Sequence, residues 1–304
     1  MKKVAYLILA HSDPLQLDKL CTALDCEYND LYIHIDAKQT SLDVFREAAG
    51  ASVCFLEQRV SVSWGGITMI DALNLLIKQA LLKKNEYTHL VFISGSCYPI
   101  KNVKSIHETL VQSPTYEFVK YIDMRESPEH YLKQITKKWF NEPVIKFSQP
   151  GSSHLLSPYF LEKAARALLN KLKLKNQWNE NMVPYYGSTW CALTTDCCQY
   201  IMDFQDENPW YREMNKYTFA PDEHFYHTII GNSEFAASST GAQPFAGRGL
   251  WRLANFHIID ESLSKWFTVD DWEAVASSDK FFVRKVRSLD GTELVDQINR
   301  ELLI

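Results

Sequence analysis

The first hundred residues alternate apolar runs with amphipathic stretches. Residues 4–10 (VAYLILA) are apolar throughout, the pattern of a strand buried on both faces. Ser12, Asp13 and Pro14 follow. They place a capping side chain and a proline at the opening of a helix over SDPLQLDKLCTAL. Residues 31–37 (LYIHIDA) alternate until Asp36 and predict a second strand, and residues 51–58 (ASVCFLEQ) a third. Ile70, Leu73, Ile77 and Leu81 recur at helical spacing and predict a helix over about 67–84. Residues 89–95 (HLVFISG) read as a fourth strand ending in a turn.

Buried strands alternating with helices predict an α/β fold with parallel pairing and helices on both faces. In such sheets ligands sit at the carboxyl ends of the strands. Those ends carry HSD, HIDAK and SGSCYP, and none carries a GxGxxG or GxxxxGK[ST] pattern. After residue 110 the alternation loosens. Residues 124–143 are a mixed-charge segment, and 161–178 (LEKAARALLNKLKLKNQW) form a basic helical stretch. Its Lys and Arg read as a solvated face before they read as a membrane or partner contact. With no internal repeat and no clear linker, residues 1–304 read as a single domain.

Composition narrows the class. Apolar residues make up 46% and aromatics 13%, enough to bury a sizeable core. A net charge of -5 argues against nucleic acid as a partner, because no global basic field is present. The apolar N-terminal run is short, ends in His11-Ser12-Asp13-Pro14 and lacks a small-residue cleavage pattern, so it reads as a strand rather than a signal peptide. No apolar run approaches the length of a membrane span. The chain therefore reads as soluble and cytoplasmic, with peripheral attachment to a membrane left open. Seven cysteines, an odd number without a CxxC pair, suit buried thiols in a reducing compartment.

The densest chemistry lies in FAPDEHFYHTIIGNS, residues 219–233. Three readings of it stand side by side. Glu223, His224 and His227 have ligand-like spacing for a metal, although no second cluster matches them. Pro221, Asp222 and Glu223 also suit a helix N-terminus, where acids meet the positive end of the dipole. An acid held rigidly at such a turn can equally be a general base. Residue chemistry alone leaves all three open.

Several segments, in order, resemble one family. AYLILAHSDP, YIHIDAK, VSWGGITMIDALNLL, LVFISGSCYPIK, YYGSTWCAL, APDEHFYHTIIGNS, WRLANF and SSDKFFVRKV resemble the motifs of glycosyltransferase family 14. That family comprises the core-2/I-branching β-1,6-N-acetylglucosaminyltransferases and the peptide O-xylosyltransferases. The resemblance implies a GT-A-like fold with a mostly parallel central sheet flanked by helices. A nucleotide-binding half would span about 1–110. An acceptor-binding and catalytic half would span about 111–304 and end in a diphosphate-binding segment. It implies an inverting transfer from a UDP-sugar to a hydroxyl of a glycan acceptor, in surface polysaccharide or glycan synthesis, without metal or other cofactor. UDP-N-acetylglucosamine is the first donor expected and UDP-xylose the second.

Residue by residue, Glu223 falls on the family's catalytic base. Asp222 becomes a partner of that base or of the donor or acceptor sugar, and His224 and His227 become packing residues. Arg284 and Lys285, with Arg252, fall where basic side chains take the charge of the leaving diphosphate. Asp36 and Trp64 fall at the nucleotide site, and Trp190 on the sugar-facing wall. Glu126, Lys133, Lys137 and Lys138 lie where branching enzymes hold their acceptor. Two departures stand out: Cys97 replaces an acid of the family's SGxDYP, and Cys191 replaces an aromatic of GSxWF. They keep open a non-catalytic nucleotide-sugar-binding protein, and a metal-dependent nucleotide-sugar enzyme with His224 and His227 as ligands is the other alternative. The family's membrane anchor and disulfides have no counterpart in these motifs, which fits a compact, bacterial-type member.

Overall fold

A computed structural model describes residues 2–48, 53–144 and 158–304. The main sheet is built from β1 (Lys3–Ala10), β2 (Asn29–Ile35), β3 (Val53–Phe55) and β4 (Tyr87–Ser94) of the first half. The second half adds β6 (Glu117–Asp123), β7 (Tyr185–Gly187), β8 (Ala192–Thr194) and β9 (Ser239–Ala242). Their order is β3-β2-β1-β4-β8-β6-β7, with β9 beside β6. The first four pair in parallel, whereas β8 joins β4 antiparallel, His89 facing Thr194. A small second sheet sets β11 (Phe282–Arg284) between β10 (His257–Ile259) and β5 (Cys97–Pro99). This is the mixed α/β architecture expected, with its four-stranded parallel core in the first half.

The two faces of β1 explain its unbroken apolar run. Val4, Tyr6, Ile8 and Ala10 enter one core cluster, and Ala5, Leu7 and Leu9 the other. A side-chain period of two sends successive residues to opposite faces, so both sets must be apolar. The first cluster is covered by the helix Pro14–Leu24 through Leu17, Leu20, Cys21 and Leu24. The second is covered by the helix Thr68–Leu81 through Ile70, Leu73, Leu76 and Ile77. Asp13 caps the first helix, accepting from the Gln16 N–H at 3.1 Å. Its carboxylate also accepts from the Ser288 N–H at 2.7 Å, which ties the C-terminal segment to the end of β1.

The second half departs from the sequence reading. Glu117 is fully buried, and its carboxyl receives the Thr194 N–H at 2.7 Å and the Thr194 hydroxyl at 2.6 Å. Burial pushes its pKa up to about 7. The basic helix spans Pro158–Lys171 rather than reaching 178. Beyond it Lys173 turns left-handed at φ 50°, and Asn176 bonds backwards to the carbonyls of Thr136 at 2.8 Å and Ile135 at 3.0 Å. Those bonds hold the chain against residues 135–137 instead of continuing the helix. The third predicted strand is shorter than expected, and residues 51 and 52 of it lie outside the described residues. Among the described residues no helix is long and apolar enough to cross a membrane. All seven cysteines are free thiols.

Candidate active site

The predicted strand ends converge. Beyond β1 stands His11, and beyond β2 stand Asp36 and Lys38. Asp36 is nearly buried and accepts from the Lys38 N–H at 2.9 Å and the Val62 N–H at 3.4 Å; its other oxygen faces Lys38 Nζ at 3.4 Å. Pairing of β11 with β5 sets Arg284 opposite Cys97, and the Val286 N–H reaches the Ser96 carbonyl at 2.9 Å. The guanidinium of Arg284 donates to the Ser94 hydroxyl at the end of β4 and lies 3.9 Å from the Cys97 sulfur. Lys285 sits beside it, with Nζ 5.9 Å from the ring of Trp266. Burial pushes the Lys285 pKa down and the neighbouring Arg284 charge adds to this. His11 feels all of these groups. Burial lowers its pKa, the Asp36 charge opposes that, and Arg284, Lys38 and Lys285 reinforce it. Three cations, Lys38, Arg284 and Lys285, thus stand at the carboxyl end of the parallel strands, where an anionic ligand is favoured.

Against this cluster lies the turn Pro221–Glu223, entered through Ala220 at φ 48°. The short helix Phe225–Gly231 follows. Asp222 accepts from the Thr189 hydroxyl at 2.9 Å. Burial raises its pKa, while the Thr189 bond and the Arg284 charge oppose the rise. Glu223 accepts from the phenol of Tyr186. Burial, then the adjacent Asp222 charge, push the Glu223 pKa up to about 8, against the Tyr186 bond. Such a carboxyl takes or gives a proton near neutral pH. His227 donates Nε2–H to the Ser188 carbonyl at 3.1 Å, and His224 packs edge-on to Trp178. Burial pushes their pKa values down to about 4 and about 3, so both are neutral packing groups. Among the described residues, no three His, Cys, Asp or Glu side chains gather as a metal site.

The sequence matches the family profile "Branch: Core-2/I-Branching enzyme" over residues 4–244. The chain belongs to the core-2/I-branching enzyme family. It is 23% identical over 236 residues to a human N-acetyllactosaminide beta-1,6-N-acetylglucosaminyl-transferase, covering 74% of this chain and 52% of that protein. It is 22% identical over 245 residues to the xylosyltransferase oxt of Drosophila melanogaster, covering 78% of this chain and 25% of that protein. A probable human beta-1,3-galactosyl-O-glycosyl-glycoprotein beta-1,6-N-acetylglucosaminyltransferase 7 is 21% identical over 256 residues, covering 80% and 52%. The chain spans about half or a quarter of the length of these relatives. They are named as glycosyltransferases, and the matching family is an enzyme family.

The other residues singled out for a branching enzyme take varied places. Trp64 is 77% exposed, so it is not a core aromatic; it meets Phe219 edge-on at 5.5 Å, just before the Pro221–Glu223 turn. Gly65, at φ 68°, lends its carbonyl to the Ala220 N–H at 3.0 Å and clamps the two loops together. Trp190 is 9% exposed and carries the Arg284 guanidinium 4.4 Å over its ring, so one face is already taken. Arg252 is exposed and lies over Trp251 at 4.2 Å. Leu250 and Leu253 of the same turn pack with Tyr131 and Tyr186, which puts the turn that carries Arg252 on the Glu223 side of the site. Glu126 accepts from the Phe245 N–H at 2.9 Å, Lys133 is exposed, and Lys137 and Lys138 lie over Trp139 and Tyr217. Cys191 is buried, and burial raises its pKa.

Sequence reasoning missed Thr189, Tyr186 and Tyr131: the first two lie inside the YYGSTWCAL segment without a role assigned to them, and Tyr131 has no spacing signal. Gly187, between Tyr186 and Ser188, gives a test of the packing here. A Cβ there would meet the Lys120 carbonyl at 2.5 Å and His227 at 2.6 Å, both in fixed structure. Gly187→Ala is expected to cost about 1–3 kcal/mol, read as a fall in the urea midpoint at unchanged m-value.

Proposed function

We propose that this chain is an inverting, metal-independent glycosyltransferase that moves a sugar from a UDP-sugar to a hydroxyl of a glycan acceptor. The observation that carries the reading is Glu223, half-buried at a rigid turn beside the Arg284–Lys285 cluster, with its pKa pushed up to about 8. The acceptor O–H proton passes to the carboxylate as the oxygen attacks the anomeric carbon on the face opposite UDP. The C–O bond to the diphosphate breaks, and its electron pair leaves with UDP. Arg284 and Lys285 face that developing charge, Arg as a bidentate donor and Lys as a compact point charge. Arg252 is the third cation proposed for the diphosphate. Asp36 and Trp64 bound the nucleotide, and Asp222 and Trp190 the sugar. Because cations carry the leaving-group charge, the mechanism needs no divalent metal.

N-acetylglucosamine is the proposed donor sugar, in line with the activity for which the human relative is named. The xylosyltransferase relative supports UDP-xylose as the second reading. Both donors are tested by following UDP release from each, with and without N-acetyllactosamine as acceptor, in EDTA. Acceptor-dependent release from UDP-N-acetylglucosamine is expected. UDP binding without release from either donor would contradict the enzyme reading. The pH profile is a further expectation. A base works ionised, so kcat/KM should rise with pH along an acid limb near pH 8 in the free enzyme. A profile flat from pH 6 to 9 would oppose a base with this environment.

A further inference from the structure

We propose that Tyr186 is a positioning residue of the transfer reaction: its phenol O–H holds Oε2 of Glu223 and leaves Oε1 as the oxygen that receives the acceptor proton. This rests on the reading of Glu223 as the base. A carboxylate on a short turn can present either oxygen, and a base must hold one within hydrogen-bond reach of its proton. Tyr186 is built to make that choice. It lies in β7 opposite Ile122 of β6, and it is 4% exposed. Its ring packs on Tyr131 with centroids 4.2 Å apart, tilted by 32°. Tyr131 is fixed in turn, since its hydroxyl accepts from the Gly249 N–H at 2.9 Å. Ile122, Met124, Ile135, Leu250 and Leu253 close the cluster around both rings.

Chemistry sets the direction of the bond. Burial, then the Glu223 charge, push the Tyr186 pKa well up, so the phenol keeps its proton and donates. During transfer the acceptor O–H bond breaks, its proton goes to Oε1, the new C–O bond forms and UDP leaves. Tyr186 retains its own proton throughout. The same bond opposes burial and the Asp222 charge at Glu223, and favours the ionised base. A hydrogen bond to a charged group is worth about 1.5–3 kcal/mol, or on the order of one to two pH units in the titration it controls.

The test is the pH–rate profile of Tyr186→Phe, beside a 13C titration of the Glu223 Cδ, which needs no turnover. Tyr186→Phe is expected to move both the acid limb and the Cδ titration to higher pH. Transfer should fall at neutral pH and recover as pH rises, with UDP affinity unchanged. Tyr131→Phe keeps the ring stack and should leave the limb in place. An unmoved limb and Cδ titration in Tyr186→Phe would overturn the proposal. An equal shift in Tyr131→Phe would do so too, because general packing would then be the cause. Should Tyr186→Phe not fold, Tyr186→His offers another donor at the same place and must keep the Cδ titration below that of Tyr186→Leu. Near-native transfer by Glu223→Gln would instead remove the base reading beneath it.

Discussion

Glu223→Gln is expected to lower transfer by ~10²-fold or more while UDP binding stays near native, since a positioned base contributes about 10²–10⁴-fold. The amide keeps the volume and still accepts from Tyr186, but it cannot take the acceptor proton. Asp222→Asn should be much milder, because Asp222 is held by Thr189 and acts on Glu223 through its charge. Greater loss at Asp222 would move the base by one residue. The same substitution carries a stability signature. In the folded chain Glu223 holds its proton up to about pH 8, whereas an ordinary glutamate releases it near 4.5. Folding therefore takes up a proton between those values. This contribution is fully present below the lower value and is lost as pH rises through the upper one. The amide removes that dependence. The Tm advantage of Glu223→Gln over the native chain should grow from about pH 4.5 to about 8 and level off above it. A Tm difference independent of pH would contradict the raised pKa.

Lys285→Ala is expected to slow transfer by ~10²-fold, about 3 kcal/mol, the size of one preorganised contact to developing charge. UDP affinity should fall, and uridine affinity should fall less, because the lost charge acts on the diphosphate. The rate should suffer more than binding, since the leaving group gains charge in the transition state. Lys285 is half-buried beside Trp266 and next to Arg284, so its ammonium has little freedom to be replaced by water. Arg284→Ala should act in the same direction and also release the face of Trp190 that the guanidinium covers. A silent Lys285→Ala, with activity lost to chelation and restored by manganese, would turn the mechanism toward a metal.

Much of the first half is legible in the sequence for a physical reason. β1 is buried on both faces, so its run is continuously apolar, and the helix Thr68–Leu81 buries one face, so its apolar residues recur at helical spacing. Asp13 and Pro14 mark a helix start because a cap and a fixed φ act locally. The second half hides its strands. β7 and β8 are three residues each, too short for a period, and partners distant in sequence fix them. Glu117 gives no local sequence signal of its place, which is fully buried with Thr194 satisfying its carboxyl. Within the site, the Pro221–Glu223 turn and the Arg284–Lys285 pair stand out through motifs. Tyr186 lies inside the YYGSTWCAL segment but its role is not readable there, since pairing with Ile122, 64 residues away, aims its hydroxyl. The turn that carries Arg252 packs on the Glu223 side, which its motif alone did not say.

Metal-independent inversion is tested most directly by proton NMR of the product formed from UDP-N-acetylglucosamine and N-acetyllactosamine in the presence of EDTA. The native chain should give a new anomeric signal with the large coupling of a β-linkage, at the same rate with and without the chelator. An α-linked product, or no product until manganese is added, would contradict a single displacement driven by Glu223 and the Arg284–Lys285 pair.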